Sequence, residues 1–263
     1  MKKHSCIISI WLIICLAVAA LSACAAKDME QTWGNKATKT VTFTAADGLT
    51  VTADIYQTTK KNAPYILLFH QSDSGRGEYI EIAPRLNELG FNCLAVDQRV
   101  GDRRNKVKNE TAARAKELGL VSQYGAITDF PDALADLEAA FLYAKKELKA
   151  EKIIIWGSSY SAALVFVLGN EFPEDICAIL AFSPADMEIE AKKTSDYAAK
   201  INCPVLIATE MLEQSRPIYD SLPAANRIWL EVNMHGSSAL IAYDYNPDSE
   251  SYWQQVIEFL QSL

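Results

Sequence analysis

Histidine is scarce in this chain, with three in 263 residues, His4, His70 and His235. Chemistry that needs an imidazole base therefore has few places to reside. A basic excess is also missing. The formal net charge is -8, which leaves nothing to attract nucleic-acid phosphates, since these demand clustered lysine and arginine. The one short basic cluster, Arg103, Arg104, Lys106 and Lys108, is offset by acidic groups elsewhere and reads as a solvated loop. Of six cysteines, Cys6, Cys15 and Cys24 lie in the N-terminal apolar segment. That leaves Cys93, Cys177 and Cys203, each in or beside an apolar run. An odd number without metal-ligand spacing argues against a disulfide framework or a zinc site and fits small core hydrophobes. There is no internal repeat, low-complexity tract or dividing linker. No apolar run reaches the roughly 20 residues that a spanning helix needs.

The N-terminus has the form of a secretory signal. Lys2 and Lys3 precede a mostly apolar run over residues 7–20, and Leu21-Ser22-Ala23-Cys24 closes it. That ending resembles the bacterial lipobox. The resemblance implies cleavage before Cys24, lipid modification of that residue, and a domain anchored to a bacterial membrane outside the cytoplasm. An ordinary cleaved signal with a chance cysteine is the alternative. Residues 25–37 carry no hydrophobic period and read as a tether, so residues 38–263 form the domain, the size of one large α/β unit.

Within it, Val41 to Phe43 and Leu49 to Tyr56 read as strands. The second alternates as Leu49, Val51, Ala53 and Ile55, which predicts a half-buried antiparallel hairpin. From Tyr65 onward the apolar runs become continuous, at residues 65–69, 93–96, 153–156, 176–180 and 205–208. Such runs belong to parallel strands buried on both faces. Helical segments separate them. One ends at Leu89-Gly90, where glycine suits the cap. Others start near Asp129 with Pro131 in the first turn, run from Ser159 to Leu168 before Gly169-Asn170, and run from Ser251 to Leu263. Alternating β and α elements predict a mostly parallel sheet wrapped by helices on both faces. Residues 99–124 form one long irregular stretch with room for a short helix from Glu110 to Glu117. Long loops in compact domains are often functional, which makes this stretch the expected substrate-facing feature.

The strongest local signal is Ile153-Ile154-Ile155-Trp156-Gly157-Ser158-Ser159-Tyr160-Ser161-Ala162-Ala163, a buried strand, a turn of small residues and a helix start. It resembles the nucleophile elbow of the α/β hydrolases, G-x-S-x-G, with Ser161 where the second glycine is usual. Small residues two positions either side of Ser159 let the strand and helix backbones approach. The plainer reading is a helix N-cap served by Ser158 or Ser159. A serine hydroxyl becomes a nucleophile only when a base takes its proton and a third group orients that base. The resemblance implies the chain order serine, acid, histidine and so assigns the base to His235, between a strand-like run at residues 228–232 and the final helix. Pro204-Val205-Leu206-Ile207-Ala208-Thr209-Glu210-Met211-Leu212-Glu213 resembles the P-V-L-I-x-x-G-x-x-D segment of this fold, implying Glu213 as the acid. Glu210 stands where glycine is usual and is a rival. Asp186 is a second rival, because some relatives place the acid one strand earlier. Either glutamate is otherwise an ordinary first-turn helix charge.

The same resemblance implies two oxyanion donors. One is the N–H of Tyr160. The other is the N–H of Gln71, in His70-Gln71-Ser72-Asp73-Ser74-Gly75-Arg76-Gly77-Glu78, which resembles the H-G or H-Q loop of dienelactone-hydrolase-like members. His70 is then structural, and the spacing of Gly75 and Gly77 does not make a dinucleotide fingerprint. With Asp97-Gln98-Arg99, similar to a D-x-R-G segment, the resemblance covers nearly all of residues 65–263 and points to the dienelactone-hydrolase-like or small carboxylesterase branch. It implies an α/β-hydrolase fold and a serine esterase acting on a small or exposed carboxylic ester through an acyl-enzyme. No metal or organic cofactor is implied, and the lipid anchor is the only membrane contact. Residues 183–204 are too few for a large cap domain. A peptidase of the same fold and a non-catalytic, surface-anchored binding protein are the alternatives. Arg76 and Arg99 either bind an anionic group or are solvated.

Overall fold

Period-two alternation and continuous apolar runs both appear as strands, in one eight-stranded sheet. In the computed structural model, residues 39–121 and 129–263 are described. The leader with Cys24, the tether and residues 122–128 of the irregular stretch lie outside them. The strands are β1 (Lys39–Thr44), β2 (Thr50–Tyr56), β3 (Tyr65–Phe69), β4 (Asn92–Val96), β5 (Ile153–Ser158) and β6 (Ile176–Phe182), followed after a small hairpin, β7 (Glu188–Ile189) and β8 (Lys192–Lys193), by β9 (Val205–Thr209) and β10 (Arg227–Glu231). Their spatial order is β1-β2-β4-β3-β5-β6-β9-β10. β2 is antiparallel to β1 and β4, and every pairing from β4 to β10 is parallel.

Adjacent side chains on a strand point to opposite faces, so a continuous apolar run needs cover on both. Helices α1 (Ile82–Glu88) and α7 (Ser249–Gln261) supply it on one side, packing around Ile66, Leu68, Ile154 and Trp156. On the other side α2 (Glu110–Glu117), α3 (Leu134–Lys146), α4 (Tyr160–Glu171), α5 (Thr194–Ala198) and α6 (Leu212–Ser221) enclose Leu67, Phe69, Ile155 and Ile207. Each such side chain contributes about 1.5–3 kcal/mol by leaving water. Among the described residues there is no large cap; the β6 to β9 connection holds only the β7/β8 hairpin and α5. No helix of the described residues is long and apolar enough to cross a membrane.

Two expectations change. The alternation in β2 predicts one wet face, yet Thr52 and Asp54 are buried. Helix α2 covers Thr52, whose N–H donates to Thr111 Oγ1 at 2.9 Å and whose Oγ1 accepts from Arg114 Nη1 at 2.8 Å, while Asp54 accepts from Thr40 Oγ1 at 2.6 Å and pairs with Arg76 Nε at 3.0 Å. Gly169 does not end α4 but lies within it, where a Cβ would fall 2.8 Å from Ile179 Cδ1 and 3.1 Å from Ile201 Cδ1. The glycine makes space for packing between helix and sheet.

Candidate active site

The C-terminal ends of five parallel strands, β3, β5, β6, β9 and β10, are followed by the segments that carry the candidate site residues. At the end of β5 the backbone leaves the sheet at Ser159, whose φ of 58° and ψ of -121° are rare for a residue with a Cβ. The turn is tight because α4 starts at the next residue. A Cβ on Gly157 would fall 2.4 Å from the Ser161 carbonyl oxygen and 2.6 Å from Ala162 Cα, so glycine alone fits there. Ser161 is more than a small stand-in for glycine. Its Oγ donates to the His70 carbonyl at 2.5 Å and accepts from Gln98 Nε2 at 2.7 Å, tying the elbow to the ends of β3 and β4.

Three of the sequence-derived candidates meet. His235 Nε2 lies 2.8 Å from Ser159 Oγ, and His235 Nδ1 lies 2.6 Å from Glu210 Oε1. The hydrogen bond that His235 Nδ1–H donates to Glu210 lifts His235 above its ordinary value, against the opposing effect of burial. Burial pushes Glu210 upward, but the hydrogen bonds from His235 and Ser183 outweigh it and hold the carboxyl below its usual range. The side chain of His235 is 44% exposed, so the site is open to solvent.

Glu213, the motif-implied acid, is not part of this cluster. β9 ends at Thr209 and α6 begins at Leu212, so the chain turns away at once and Glu213 sits exposed in the first helical turn. The turn is fixed by Thr209 Oγ1, which accepts from Met211 N–H at 2.9 Å and pairs with Ser215 Oγ at 2.9 Å. Only the first residue after the strand, Glu210, faces the histidine. Asp186 is structural instead: its Oδ1 accepts from Ser195 N–H at 2.9 Å, and Oδ2 lies 3.8 Å from Lys193 Nζ.

Of the implied oxyanion donors, Tyr160 N–H stands at the first position of α4, where helical amides lack an intrahelical acceptor. The Gln71 N–H is already committed. It donates to Glu78 Oε2 at 3.1 Å, and one amide proton cannot also serve an oxyanion. His70 is fully buried and held neutral, its pKa lowered to about 4 by burial. Its Nε2 accepts from Gln98 N–H at 2.9 Å, which leaves Nδ1–H to donate to the Gln71 carbonyl at 2.7 Å.

Neither candidate arginine is free or solvated. Arg76 binds Asp54 Oδ2 at 3.0 Å and Asp97 Oδ2 at 2.5 Å, and Arg99 binds Asp136 Oδ1 at 2.8 Å and Asp47 Oδ2 at 2.6 Å. Within the irregular stretch, Asn109 caps α2 through Ala112 N–H at 2.8 Å, and its Nδ2 donates to the Gln98 carbonyl at 3.0 Å. The described part of that stretch thus braces the loops behind the site. Cys93, Cys177 and Cys203 are free. Among the described residues no group of three or more histidine, cysteine or carboxylate side chains is placed to hold a metal ion.

Sequence reasoning overlooked Ser183, which directly follows β6 at a φ of 55°. Its Oγ donates to Glu210 Oε2 at 2.5 Å and accepts from Gly236 N–H at 2.9 Å, linking the acid to the histidine loop. The available signal was a polar residue closing an apolar strand just before Pro184.

No known family profile matches the sequence, and no curated protein matches it. Solved structures do. The esterase Pf2001 of Pyrococcus furiosus superposes with a TM-score of 0.63 at 18% identity, over 85% of this chain and 91% of that one. A dienelactone hydrolase from Anabaena variabilis gives 0.65 at 14% identity, over 85% and 96%. Est1E from Butyrivibrio proteoclasticus, solved with ferulic acid bound, gives 0.62 at 16% identity, over 84% and 98%. The fold is the α/β-hydrolase fold. At these identities the likeness establishes the architecture alone, and in this α/β-hydrolase fold the chemistry rests on the residues at the strand ends.

Proposed function

We propose that the chain is a serine hydrolase of the carboxylesterase class, cleaving a small or exposed carboxylic ester through an acyl-enzyme. The observation that carries this reading is the continuous relay Ser159 Oγ, His235 Nε2, His235 Nδ1 and Glu210 Oε1, with links of 2.8 and 2.6 Å, at a strained strand-to-helix turn. Ser159 attacks the ester carbonyl as His235 takes its proton; the imidazolium then protonates the departing alcohol. Glu210 fixes the tautomer and stabilises the imidazolium. Water, activated by the same histidine, attacks the acyl carbonyl and frees Ser159.

The oxyanion is received by Tyr160 N–H and Ser72 N–H. Ser74 N–H donates to the Gln71 carbonyl at 3.2 Å, which closes a turn over residues 71–74. The first inner amide of such a turn, here Ser72, has no acceptor within it. The exposed histidine and the short β6 to β9 connection support a small or exposed substrate. The resemblance of residues 21–24 to a lipobox supports, as part of this proposal, an enzyme held outside the cytoplasm by lipid on Cys24.

Labelling with a fluorophosphonate tests the chemistry: the wild type should label and Ser159→Ala should not. Equal labelling, or none in either, overturns the reading and leaves a binding protein on a hydrolase scaffold. Turnover of aminoacyl amides in preference to p-nitrophenyl esters would make it a peptidase. Intact mass of the membrane-extracted protein should show a lipid-modified Cys24 at its N-terminus, and Cys24→Ala should leave the membrane fraction.

A further inference from the structure

The relay leaves one buried acid unexplained. Glu78 lies in the single-turn helix Arg76–Tyr79, 1% exposed, directly behind the oxyanion loop. Its Oε2 accepts from Gln71 N–H at 3.1 Å. Its Oε1 meets no donor in hydrogen-bond geometry, although the Ser74 and Ser158 hydroxyls lie beside the carboxyl. No arginine or lysine among the described residues forms an ion pair with it, Arg104 acting only at longer range. A carboxyl so enclosed, with one amide donor and no contacting cation, is most stable as the neutral acid. Burial accordingly raises Glu78 above its ordinary value.

Three loops of the site meet at this point. A Cβ on Gly236 would fall 2.4 Å from Ser158 Oγ and 2.7 Å from Gln71 Oε1, which brings the histidine loop, the elbow and the oxyanion loop into contact. Ser158 Oγ accepts from Ser237 N–H at 3.0 Å, and Ser237 Oγ accepts from Trp156 Nε1 at 2.9 Å. Gln71 itself is pinned at both ends of its backbone. Its N–H is taken by Glu78, and its carbonyl receives His70 Nδ1–H at 2.7 Å and Ser74 N–H at 3.2 Å.

We propose that Glu78 is a positioning residue for the hydrolase reaction: as a neutral acid it holds the Gln71 amide inward, leaving Ser72 N–H to the cleft, and its ionisation slows acylation by placing negative charge beneath the oxyanion. The inference rests on the serine-hydrolase reading above. Other titratable or charged groups around Glu78 are Tyr79 on its own turn, Tyr160 on α4, Arg104, whose backbone carbonyl lies against Gly77, and His235, which also feels Asp73. Of these, His235 must lose its proton for activity to rise. Glu78 must keep its own, so its ionisation appears as a fall in kcat on the alkaline side.

The test compares Glu78→Gln and Glu78→Ala with wild type on p-nitrophenyl acetate across pH, alongside the rate of fluorophosphonate labelling. Releasing the loop removes one oxyanion donor, so Glu78→Ala should lose about 10²-fold in kcat with KM within about threefold. Glutamine can accept from Gln71 N–H but cannot ionise. Glu78→Gln should recover to within about fivefold of wild-type kcat near neutrality and lack the alkaline decline. The proposal is overturned by a folded Glu78→Ala within about threefold of wild type, or by a Glu78→Gln that keeps the decline. Should Glu78→Ala fail to fold, the Glu78→Gln profile decides alone. If Ser159 labels while these variants behave as wild type, only the Glu78 role falls. If Ser159 does not label, the hydrolase reading falls and this inference with it.

Discussion

Replacing Glu210 by glutamine separates the observed relay from the one the motif implies. Glu210 accepts a hydrogen bond of 2.6 Å from His235 Nδ1–H and another of 2.5 Å from Ser183. A hydrogen bond to a charged partner contributes about 1.5–3 kcal/mol, which alone converts to about 10- to 10²-fold in rate. Glutamine adds a second penalty. Turned to present its amide to Nδ1, it favours the tautomer that carries the proton on Nε2, where the serine proton has to arrive. In a comparable serine triad that change costs about 10⁴ in kcat. Glu210→Gln should therefore lose about 10³- to 10⁴-fold in kcat on p-nitrophenyl acetate, while Glu213→Gln stays within about twofold.

The pH profile gives an independent reading. His235 must be neutral to act, and its hydrogen bond to Glu210 raises its pKa above the ordinary value. The acid limb of kcat/KM, which reports the free enzyme, should thus move to lower pH in Glu210→Gln. If Glu213→Gln proves as damaging as Glu210→Gln, or if Glu210→Gln leaves kcat within about fivefold and the limb unmoved, the relay is misassigned.

Other substitutions probe the frame around it. Ser183→Ala removes the link between Glu210 and Gly236 N–H, so kcat should fall about tenfold and denaturant melts should register about 1–3 kcal/mol for the amide left unpaired. Gly157→Ala forces a Cβ to within 2.4 Å of the Ser161 carbonyl oxygen, and should abolish fluorophosphonate labelling at Ser159 with a lowered Tm. Asp136→Ala leaves the nearly buried guanidinium of Arg99 with Asp47 as its one remaining carboxylate, and urea titration should show a loss of about 1.5–3 kcal/mol. His70 stays neutral down to about 4, against 6.5 when unfolded. The unfolded state then binds the extra proton in that window, so stability falls as pH drops through it, by about 3 kcal/mol in all. Urea melts of His70→Asn should lack that part of the decline; an unchanged slope would exclude His70 as its source.

The sheet was legible because continuous apolar runs admit few alternatives to strands covered on both faces. Ser159 could be read from its strand, small-residue turn and helix start, and His235 from the scarcity of histidine together with the expected chain order. Glu213 misled for a physical reason. A motif counts residues from the strand, whereas the carboxylate that reaches an imidazole depends on where the chain leaves the sheet, and here the bond from Met211 N–H to Thr209 turns it away directly after Glu210. The oxyanion loop misled similarly, since nothing in His70-Gln71 reveals that a glutamate seven positions later will claim the Gln71 amide.

Charged residues were the least legible class. Arg76, Arg99, Asp97 and Asp136 look in sequence like solvated loop and helix charges, yet Arg76 is half-buried and the others buried, each against a partner between 13 and 52 positions away. Composition sees only their near-cancellation, and burial turns that cancellation into architecture. An isolated charge would be too costly at the ends of β3 and β4, but a paired one fixes the loops that hold the nucleophile. A residue's sign in the sequence therefore says little here until its partner is known, and Glu78, with an amide for a partner and no cation in contact, is the acid for which that matters most.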